Sequence, residues 1–187
     1  YNSIGEGFEV GTKCGGAKEG DPGTESILIQ KEFINPKIEE LFNVIDEAGP
    51  QPIIIWIQFH WELIKICHEL HKRWPGQVVT LSALTKDKDE SIKAFQDGRA
   101  RFLVAHPRSA AHGLTLVQSS LAIFFSLDFS WESFEQARAR IHRIGTVKKC
   151  TYLYLVCKDS IDEDILEVLR KKGNAQEILY KTLQGAA

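Results

Sequence analysis

The sequence predicts an α/β domain with a parallel central sheet flanked by helices. Short apolar segments alternate along the chain with amphipathic segments of helical length, the order in which strands and crossover helices follow one another in such folds. The apolar segment 53–59 is nearly uninterrupted, as is typical of a strand covered on both faces. The chain has 187 residues, of which 43% are hydrophobic, and this suits one domain with a sizeable core.

Punctuation residues delimit the individual elements. Residues 1–30 are rich in glycine and polar side chains, and we expect them to be irregular or hairpin-like. Asn35 is a suitable N-cap and Pro36 suits the first helical position, so a helix begins there and ends at Gly49-Pro50. Further helices are predicted at 61–74, 87–96, 131–142, 161–172 and 174–184, the last two separated by Gly173, and strands at 53–59, 78–81, 101–105, 121–126 and 149–156.

Composition argues against several classes of protein. The net charge of −2 does not suit a generally basic nucleic-acid coat. The longest apolar run, 53–57, is far too short to span a bilayer. Four irregularly spaced cysteines without a CxxC pair indicate reduced thiols, and Cys67 with His71 on one helix face is too little for a metal site. We therefore expect a cytoplasmic protein with no metal site and no membrane contact.

Polar segments follow three of the predicted strands. Gln58 ends the first strand, residues 105–113 follow the third, and residues 128–131 follow the fourth. The carboxyl ends of parallel strands meet at one edge of the sheet, where ligands of such sheets bind. We therefore expect these three segments to share one functional edge.

The helix predicted after the fourth strand carries an amide and two guanidinium groups on one face. At about 100° per residue, Gln136, Arg140 and Arg143 fall within roughly 60° of one another, whereas Arg138 points the opposite way. Planar, permanently charged guanidinium groups stabilise charge on a transferring phosphoryl group. A basic helix face exposed to solvent is the alternative interpretation, but the position behind the fourth strand favours the functional one.

These residues resemble the second RecA-like lobe of Swi/Snf-type superfamily-two helicases, and most closely the compact phage and prophage proteins of that type. The segment Gln136–Gly145 is similar to motif VI, and His106–Leu116, which ends in Gly-Leu-Thr-Leu, looks like motif V. Asp128 and Trp131 resemble the Asp and Trp that precede motif VI. The segment 56–59 looks like the family's aromatic motif, and the resemblance covers roughly residues 35–170.

Three departures from the family pattern concern which branch the chain resembles. Thr115 stands where Asn is common, Thr146 replaces the Gln that usually follows the glycine of motif VI, and the spacing from Trp131 to Gln136 is short. They weaken a likeness to eukaryotic remodellers and favour the phage-like branch. The two arginines are unaffected.

The parts that hold ATP are missing from the sequence. No GxxxxGK[ST] occurs, and no Asp-Glu pair follows a strand; these motifs cradle phosphate and Mg²⁺ in such motors. The resemblance implies that ATP and Mg²⁺ are held mainly by an N-terminal RecA-like lobe, and we expect this chain, which has no Met, to be a piece of a longer protein. On this interpretation residues 1–34 are the lead-in from that lobe, residues 35–187 form the helicase C-terminal domain, and the isolated fragment is inactive as an enzyme.

The resemblance also implies roles for individual residues. Arg143 and Arg140 would be the catalytic arginines, and the residues for ATP binding and coupling would be Gln136, Gly113, Leu114 and Asp128. Loop position suggests contacts to the phosphate backbone of DNA, expected to be double-stranded, from Gln58, Ser82, Thr85, Arg108 and Thr115. Trp56 and Trp61 are interpreted as core and lid packing rather than as base-stacking platforms. The alternative function is a noncatalytic motor-like lobe that binds protein or nucleic acid, against which the arginine pair argues.

Overall fold

The computed structural model describes residues 7–10, 28–31, 36–110, 114–142 and 149–185, with side chains in 36–110, 114–142 and 149–176. Its helices are α1 Pro36–Ala48, α2 His60–Arg73, α3 Lys88–Gln96, α4 Trp131–Ala139 and α5 Ile161–Gly185, with a 3-10 turn at Pro107–Ala110. Its strands are β1 Gly7–Val10, β2 Leu28–Lys31, β3 Ile53–Trp56, β4 Val78–Leu81, β5 Phe102–Ala105, β6 Leu121–Phe124 and β7 Thr151–Tyr154.

Strands β3 to β7 form one parallel sheet in the order β4-β5-β3-β6-β7. β3 is central, and its last residue Trp56 lies opposite Ala105 of β5 and Phe124 of β6. The carboxyl ends of all five strands therefore share one edge, and the predicted α/β fold is confirmed. β1 and β2 form a separate antiparallel pair, which agrees with the hairpin-like alternative for the glycine-rich segment.

The helices cover both faces of the five-stranded sheet. The chain moves along the sheet in one direction from β3 to β4, and in the opposite direction from β4 to β5 and from β6 to β7. Because crossovers between parallel strands are right-handed, helices that carry the chain in opposite directions lie on opposite faces. Accordingly α2 packs with α1 against one face, and α3, α4 and α5 pack against the other.

Strand β3 shows why its sequence is apolar throughout. Ile53 and Ile55 belong to the core under α1 and α2, whereas Ile54 and Trp56 belong to the core on the opposite face. All four are inaccessible to solvent. The prediction that Trp56 is a core residue is confirmed, but Trp61 is 39% exposed and is not part of the core.

Two predicted helix boundaries are wrong, both on the face covered by α4 and α5. Residues 161–185 form one continuous helix, so Gly173 does not divide two helices. A glycine costs only about 1 kcal/mol in a helix interior, and at this position it allows close approach: a Cβ there would lie 2.6 Å from Cη2 of Trp131. The second error is that α4 ends at Ala139 rather than near residue 142.

Each sheet strand is four residues long, shorter than most of the predicted segments. Ile57 shows the reason, since it is buried beyond the end of β3 and its N–H still donates to the carbonyl of Ala105 at 3.0 Å. Its apolar character therefore reflects burial rather than strand structure. Within the described residues no helix has both the length and the apolar content to cross a bilayer.

A buried ion pair joins the first and last helices at the carboxyl edge of the sheet. Lys37 Nζ in the first turn of α1 lies 2.6 Å from Asp162 Oδ2 at the start of α5, and both side chains are almost completely shielded from solvent. Asp162 Oδ2 also accepts a hydrogen bond from the N–H of Cys157 at 3.0 Å. The pair ties α1 to the segment after β7, across the face that carries Phe125.

Removal of one partner should therefore destabilise the fold strongly. We expect Lys37→Met to lower the free energy of unfolding by about 3 kcal/mol, because it leaves the Asp162 carboxylate buried without its cation. Adding Asp162→Asn, which keeps an oxygen for the Cys157 N–H, should restore part of the loss.

Urea unfolding at neutral pH measures both changes. The matched control is Lys72→Met, which removes an exposed lysine paired with Glu69 and should change stability by less than about 1 kcal/mol. Equal losses in Lys37→Met and Lys72→Met would contradict a structural role for the buried pair.

Candidate functional site

The start of α4 is fixed by two side-chain caps directly after β6. The hydroxyl of Ser130 accepts a hydrogen bond from the N–H of Ser133 at 3.3 Å, which satisfies one of the free donors of the first turn. Asp128 Oδ1 accepts from the N–H of Ser130 at 3.1 Å. Asp128 thereby orders the short segment that leads from the strand into the helix.

The end of α4 is held by the loop that looks like motif V. The N–H of Leu116 donates to the carbonyl of Arg140 at 2.9 Å, and Leu116 is completely buried. On the other side of this loop, Gln96 Nε2 of α3 donates to the carbonyl of Thr115 at 2.8 Å. Residues 114–116 therefore connect α3 to the arginine-bearing end of α4. Gly113 lies outside the described residues, and Leu114 is half-buried in this connection.

Arg140 is the C-cap of α4, with a backbone conformation that is still helical (φ −73°, ψ −28°). Its relation to Gln136 on the helix surface therefore persists, although the helix is shorter than predicted. Arg140 is only 9% exposed, and Gln136 Nε2 donates to Glu132 Oε1 one turn back at 3.1 Å. Arg143 lies outside the described residues.

Arg138 anchors α4 to the edge strand β7. Its Nη1 lies 2.7 Å from Glu135 Oε1, and its guanidinium lies over the rings of Phe134 and Tyr152 at 5.5 and 5.3 Å. The hydroxyl of Tyr152 donates to the carbonyl of Arg138 at 3.0 Å, and burial raises the pKa of Tyr152 to about 12. These contacts show that Arg138 holds α4 against β7.

A buried carboxylate that sequence reasoning missed lies between the ends of β3 and β6. Glu62 is 4% exposed, and its Oε2 accepts from the N–H of Gln58 and of Phe59 and from the hydroxyl of Ser126, at 3.1, 3.0 and 2.6 Å. The N–H of Gln58 also contacts Ser126 Oγ at 2.8 Å. Glu62 thus fixes the two loops where the chain leaves the sheet towards opposite faces, the position at which such sheets bind ligands.

One signal in the sequence could have revealed Glu62. It is the third residue of α2, the position from which a capping-box Glu reaches back to the N–H of the cap residue, here Phe59. Its contact with Ser126, which is 64 positions away in the chain, could not be found in this way.

The loop after β4 uses its hydroxyl groups internally. The hydroxyl of Thr85 accepts from the N–H of Ser82 at 2.9 Å and lies 3.2 Å from Thr80 Oγ1. Ser82 is buried, and its Oγ accepts from the N–H of Leu84 at 3.2 Å. Thr85 is half-buried. Both predicted DNA-contact residues of this loop are therefore integral to its fold.

The segment after β5 carries an exposed arginine beside a half-buried histidine. His106 Nδ1 accepts from the backbone N–H of Arg108 at 3.2 Å, and the backbone N–H of His106 donates to the carbonyl of Leu81 at 3.0 Å. Burial and the Arg108 charge lower the pKa of His106, while Asp128 acts in the opposite direction. Arg108, a predicted DNA-contact residue, is exposed on the 3-10 turn.

The exposed apolar surface of the described residues also lies at this edge. The large exposed hydrophobic residues lie in the loops or near the starts of the helices that follow β3, β4, β6 and β7; they are Phe59, Trp61, Ile64, Leu84, Phe129 and Ile161. No group of three His, Cys, Asp or Glu side chains gathers into a metal site in the described ranges. The edge therefore combines apolar side chains, an exposed arginine and the start of α4.

The sheet order and the position of α4 behind the fourth strand define this chain as a RecA-like lobe, of a kind that carries arginines but no phosphate-binding loop of its own. It belongs to the family described as the helicase conserved C-terminal domain, whose model matches residues 36–145. The matched range runs from the first residue of α1 to the glycine that ends the segment similar to motif VI.

Individual relatives agree with this assignment. The chain is 26% identical over 167 residues to protein p41 of Acyrthosiphon pisum secondary endosymbiont phage 1, covering 82% of this chain and 33% of p41. It is 27% identical over 99 residues to the human chromatin-remodeling ATPase INO80, covering 52% of this chain and 6% of INO80. The resemblance to the second lobe of Swi/Snf-type helicases, with a phage relative, is confirmed.

A solved structure shows the same fold. The C-terminal part of the Fun30 ATPase domain superposes with a TM-score of 0.63 at 23% identity, and the match covers 72% of this chain and 45% of that one. The chain spans about a third of the length of p41 and a much smaller share of INO80.

Glu62 should give the fold a measurable pH dependence. Burial raises its pKa above the ordinary value of 4.5, although the hydrogen bonds from Ser126, Phe59 and Gln58 act in the opposite direction. Above pH 4.5 the folded state therefore holds this proton more tightly than the unfolded state, so stability falls as pH rises through this window, by about 1.4 kcal/mol for each unit of pKa difference. Below pH 4.5 this contribution is constant.

Unfolding curves of the wild type and of Glu62→Gln between pH 4 and pH 8 test this dependence. The advantage of the wild type over the variant should shrink as pH rises. An advantage that grows with pH would mean that the pKa of Glu62 is lowered in the folded state. The variant Ser126→Ala, which removes a hydrogen bond that lowers the pKa, should extend the window to higher pH.

Proposed function

We propose that this chain is the second motor lobe of an ATP-dependent DNA helicase or translocase. In this proposal an N-terminal RecA-like lobe of the same protein holds ATP and Mg²⁺, and α4 supplies the arginines that complete the site. The fragment alone hydrolyses essentially no ATP, because it has no phosphate-binding loop. The site of action is the cytoplasm of a bacterial host or of a phage-infected cell.

The observation that carries the proposal is the hydrogen bond from the N–H of Leu116 to the carbonyl of Arg140. It joins the loop similar to motif V directly to the arginine helix. A rigid connection of this kind suits a motor, in which the state of the nucleotide must alter the grip on the track. Leu114 and the neighbouring Gly113 would transmit the change, with Gln136 and Asp128 at the nucleotide side.

The two arginines have different roles in this proposal. Arg143 is the arginine finger that neutralises charge on the phosphoryl group being transferred, an effect worth about 10³–10⁵ in rate in related systems. Arg140 is almost fully buried within the lobe, so it contributes to the shape of the lobe as well as to the charge of the site. Arg140→Ala should therefore lower both stability and activity, whereas Arg143→Ala should lower activity alone.

The DNA track in this proposal is the phosphate backbone of double-stranded DNA. Arg108 is the main contact, since its side chain is exposed and positively charged, as phosphate binding requires. Gln58 and Thr115 would contact the backbone from neighbouring loops. Ser82 and Thr85 would act by shaping their loop, because their hydroxyl groups are used within it.

The apolar carboxyl edge supports the presence of a partner surface. Exposed apolar side chains at this edge, such as Phe59, Trp61 and Phe129, would be covered by a partner, and the N-terminal lobe is the partner that the proposal requires. The second candidate function is a noncatalytic motor-like lobe that binds protein or nucleic acid. The burial of Arg140 favours this function, because a buried arginine can serve the structure of the lobe alone. Turnover by the two-lobed protein distinguishes the two functions.

Arg143→Ala in the two-lobed protein is the direct test of the motor. DNA-stimulated ATP hydrolysis should fall about 10³-fold or more, because the phosphoryl charge loses its counter-charge. ATP binding should remain measurable, because the other lobe holds the nucleotide. Steady-state ATPase assays with and without DNA measure the first quantity, and nucleotide titration measures the second.

Arg99→Ala is the matched control, since Arg99 is half-exposed and pairs with Glu90 and Asp97 after the end of α3. It should retain the turnover of the wild type. Normal turnover by Arg143→Ala would remove Arg143 from the finger role. Robust hydrolysis by residues 1–187 alone would overturn the two-lobe proposal.

A further inference from the structure

The long helix α5 contacts α4 through an unusually close ring-to-backbone approach. A Cβ at Gly173 would lie 2.6 Å from Cη2 and 3.1 Å from Cζ3 of Trp131, distances that no side chain tolerates without movement. The indole of Trp131, the first residue of α4, thus rests directly on the backbone of α5. Any residue larger than glycine at position 173 would push against the indole of Trp131, so the ring or the helix that carries it would have to shift.

Polar contacts fix the indole in this position. Trp131 Nε1 donates to Gln176 Oε1 at 2.6 Å, three residues and therefore almost one turn beyond Gly173. Lys172 Nζ donates to the carbonyl of Phe129 at 2.9 Å. Lys172, Gly173 and Gln176 of α5 therefore contact Phe129 and Trp131, the residues on either side of the Ser130 cap.

Aromatic contacts connect Trp131 to the core under α4. Trp131 lies 5.5 Å from the ring of Phe134, which in turn lies 5.4 Å from Phe124 of β6 and 5.9 Å from Tyr154 of β7. The first turn of α4 is therefore held between the sheet and α5. Its other end is held by Leu116, so the orientation of the helix depends on two anchors.

We propose that α5, through its contact between Gly173 and Trp131, positions α4 and so sets the placement of Arg140 at its far end. This inference rests on the proposed motor function, for which Gly173, Gln176 and Lys172 act as positioning residues. α4 is a hydrogen-bonded helix of nine residues, so a tilt imposed at Trp131 is carried along it to Gln136 and Arg140. The role of α5 is to keep that tilt fixed while the lobes open and close.

Gly173→Ala in the two-lobed protein tests this inference. The added methyl group should displace Trp131 and lower the kcat of DNA-stimulated ATP hydrolysis about tenfold or more, since small misplacements of catalytic groups have effects of this size. The KM for ATP should change much less. If α5 were only a passive cover, the clash with Trp131 would lower stability but leave kcat unchanged.

Two further variants separate positioning from general damage. Asn174→Ala changes the adjacent, exposed position and should keep the wild-type kcat. The double variant Trp131→Phe/Gly173→Ala replaces the indole with a smaller ring, which makes room for the methyl group, and should recover part of the lost kcat. A Gly173→Ala protein with wild-type kcat, or a double variant without recovery, would overturn the inference.

Amide hydrogen exchange in residues 136–142 provides a readout that does not depend on activity. Exchange there should be faster in Gly173→Ala than in Asn174→Ala, and unchanged exchange would overturn the positioning role. If the wild-type two-lobed protein hydrolyses no ATP, the proposed function fails. The exchange measurement still decides whether α5 holds α4.

Discussion

Right-handed crossovers between parallel strands are the constraint on which the whole molecule depends. They send α2 to one face of the sheet and α3 and α4 to the other, while every strand ends at the same edge. The segments after β3, β5 and β6 are thereby neighbours although they are far apart in the sequence. Residues 114–116, between β5 and β6, lie on the face that carries α3 and α4, where the N–H of Leu116 reaches the end of α4.

The position of α4 follows from contacts at both of its ends. At the start, the Ser130 cap and the indole of Trp131 hold the first turn against the sheet and α5. At the end, the N–H of Leu116 binds the carbonyl of Arg140. An arginine in a charge-stabilising role must be held before the reaction, since reorganisation during it would cost the advantage. Two anchors of unrelated origin in the chain provide that rigidity.

Most of the fold could be predicted because it depends on local patterns. The apolar run at 53–57, the start of α1 at Pro36 and the N-cap of α4 each need only a few neighbouring residues. The prediction that Gly173 breaks the helix is wrong. Glycine occupies this position because the ring of Trp131, 42 positions earlier in the sequence, leaves no space for a side chain. Charged residues such as Lys37 and Glu62 look like surface residues until distant partners bury them.

In the candidate site, too, the local sequence pattern could be predicted but the contacts with distant residues could not. Motif spacing assigned roles to Gln136, Arg140 and Arg143, and these remain predictions, with Arg143 outside the described residues.

Arginine footprinting tests the central claim, that α4 forms half of an ATP site. The two-lobed protein would be treated with phenylglyoxal, with and without DNA and ADP–aluminium fluoride, a mimic of the transferred phosphoryl group. We predict that the bound mimic protects Arg143 while Arg99 reacts equally in both states; equal reactivity of Arg143 would contradict the claim.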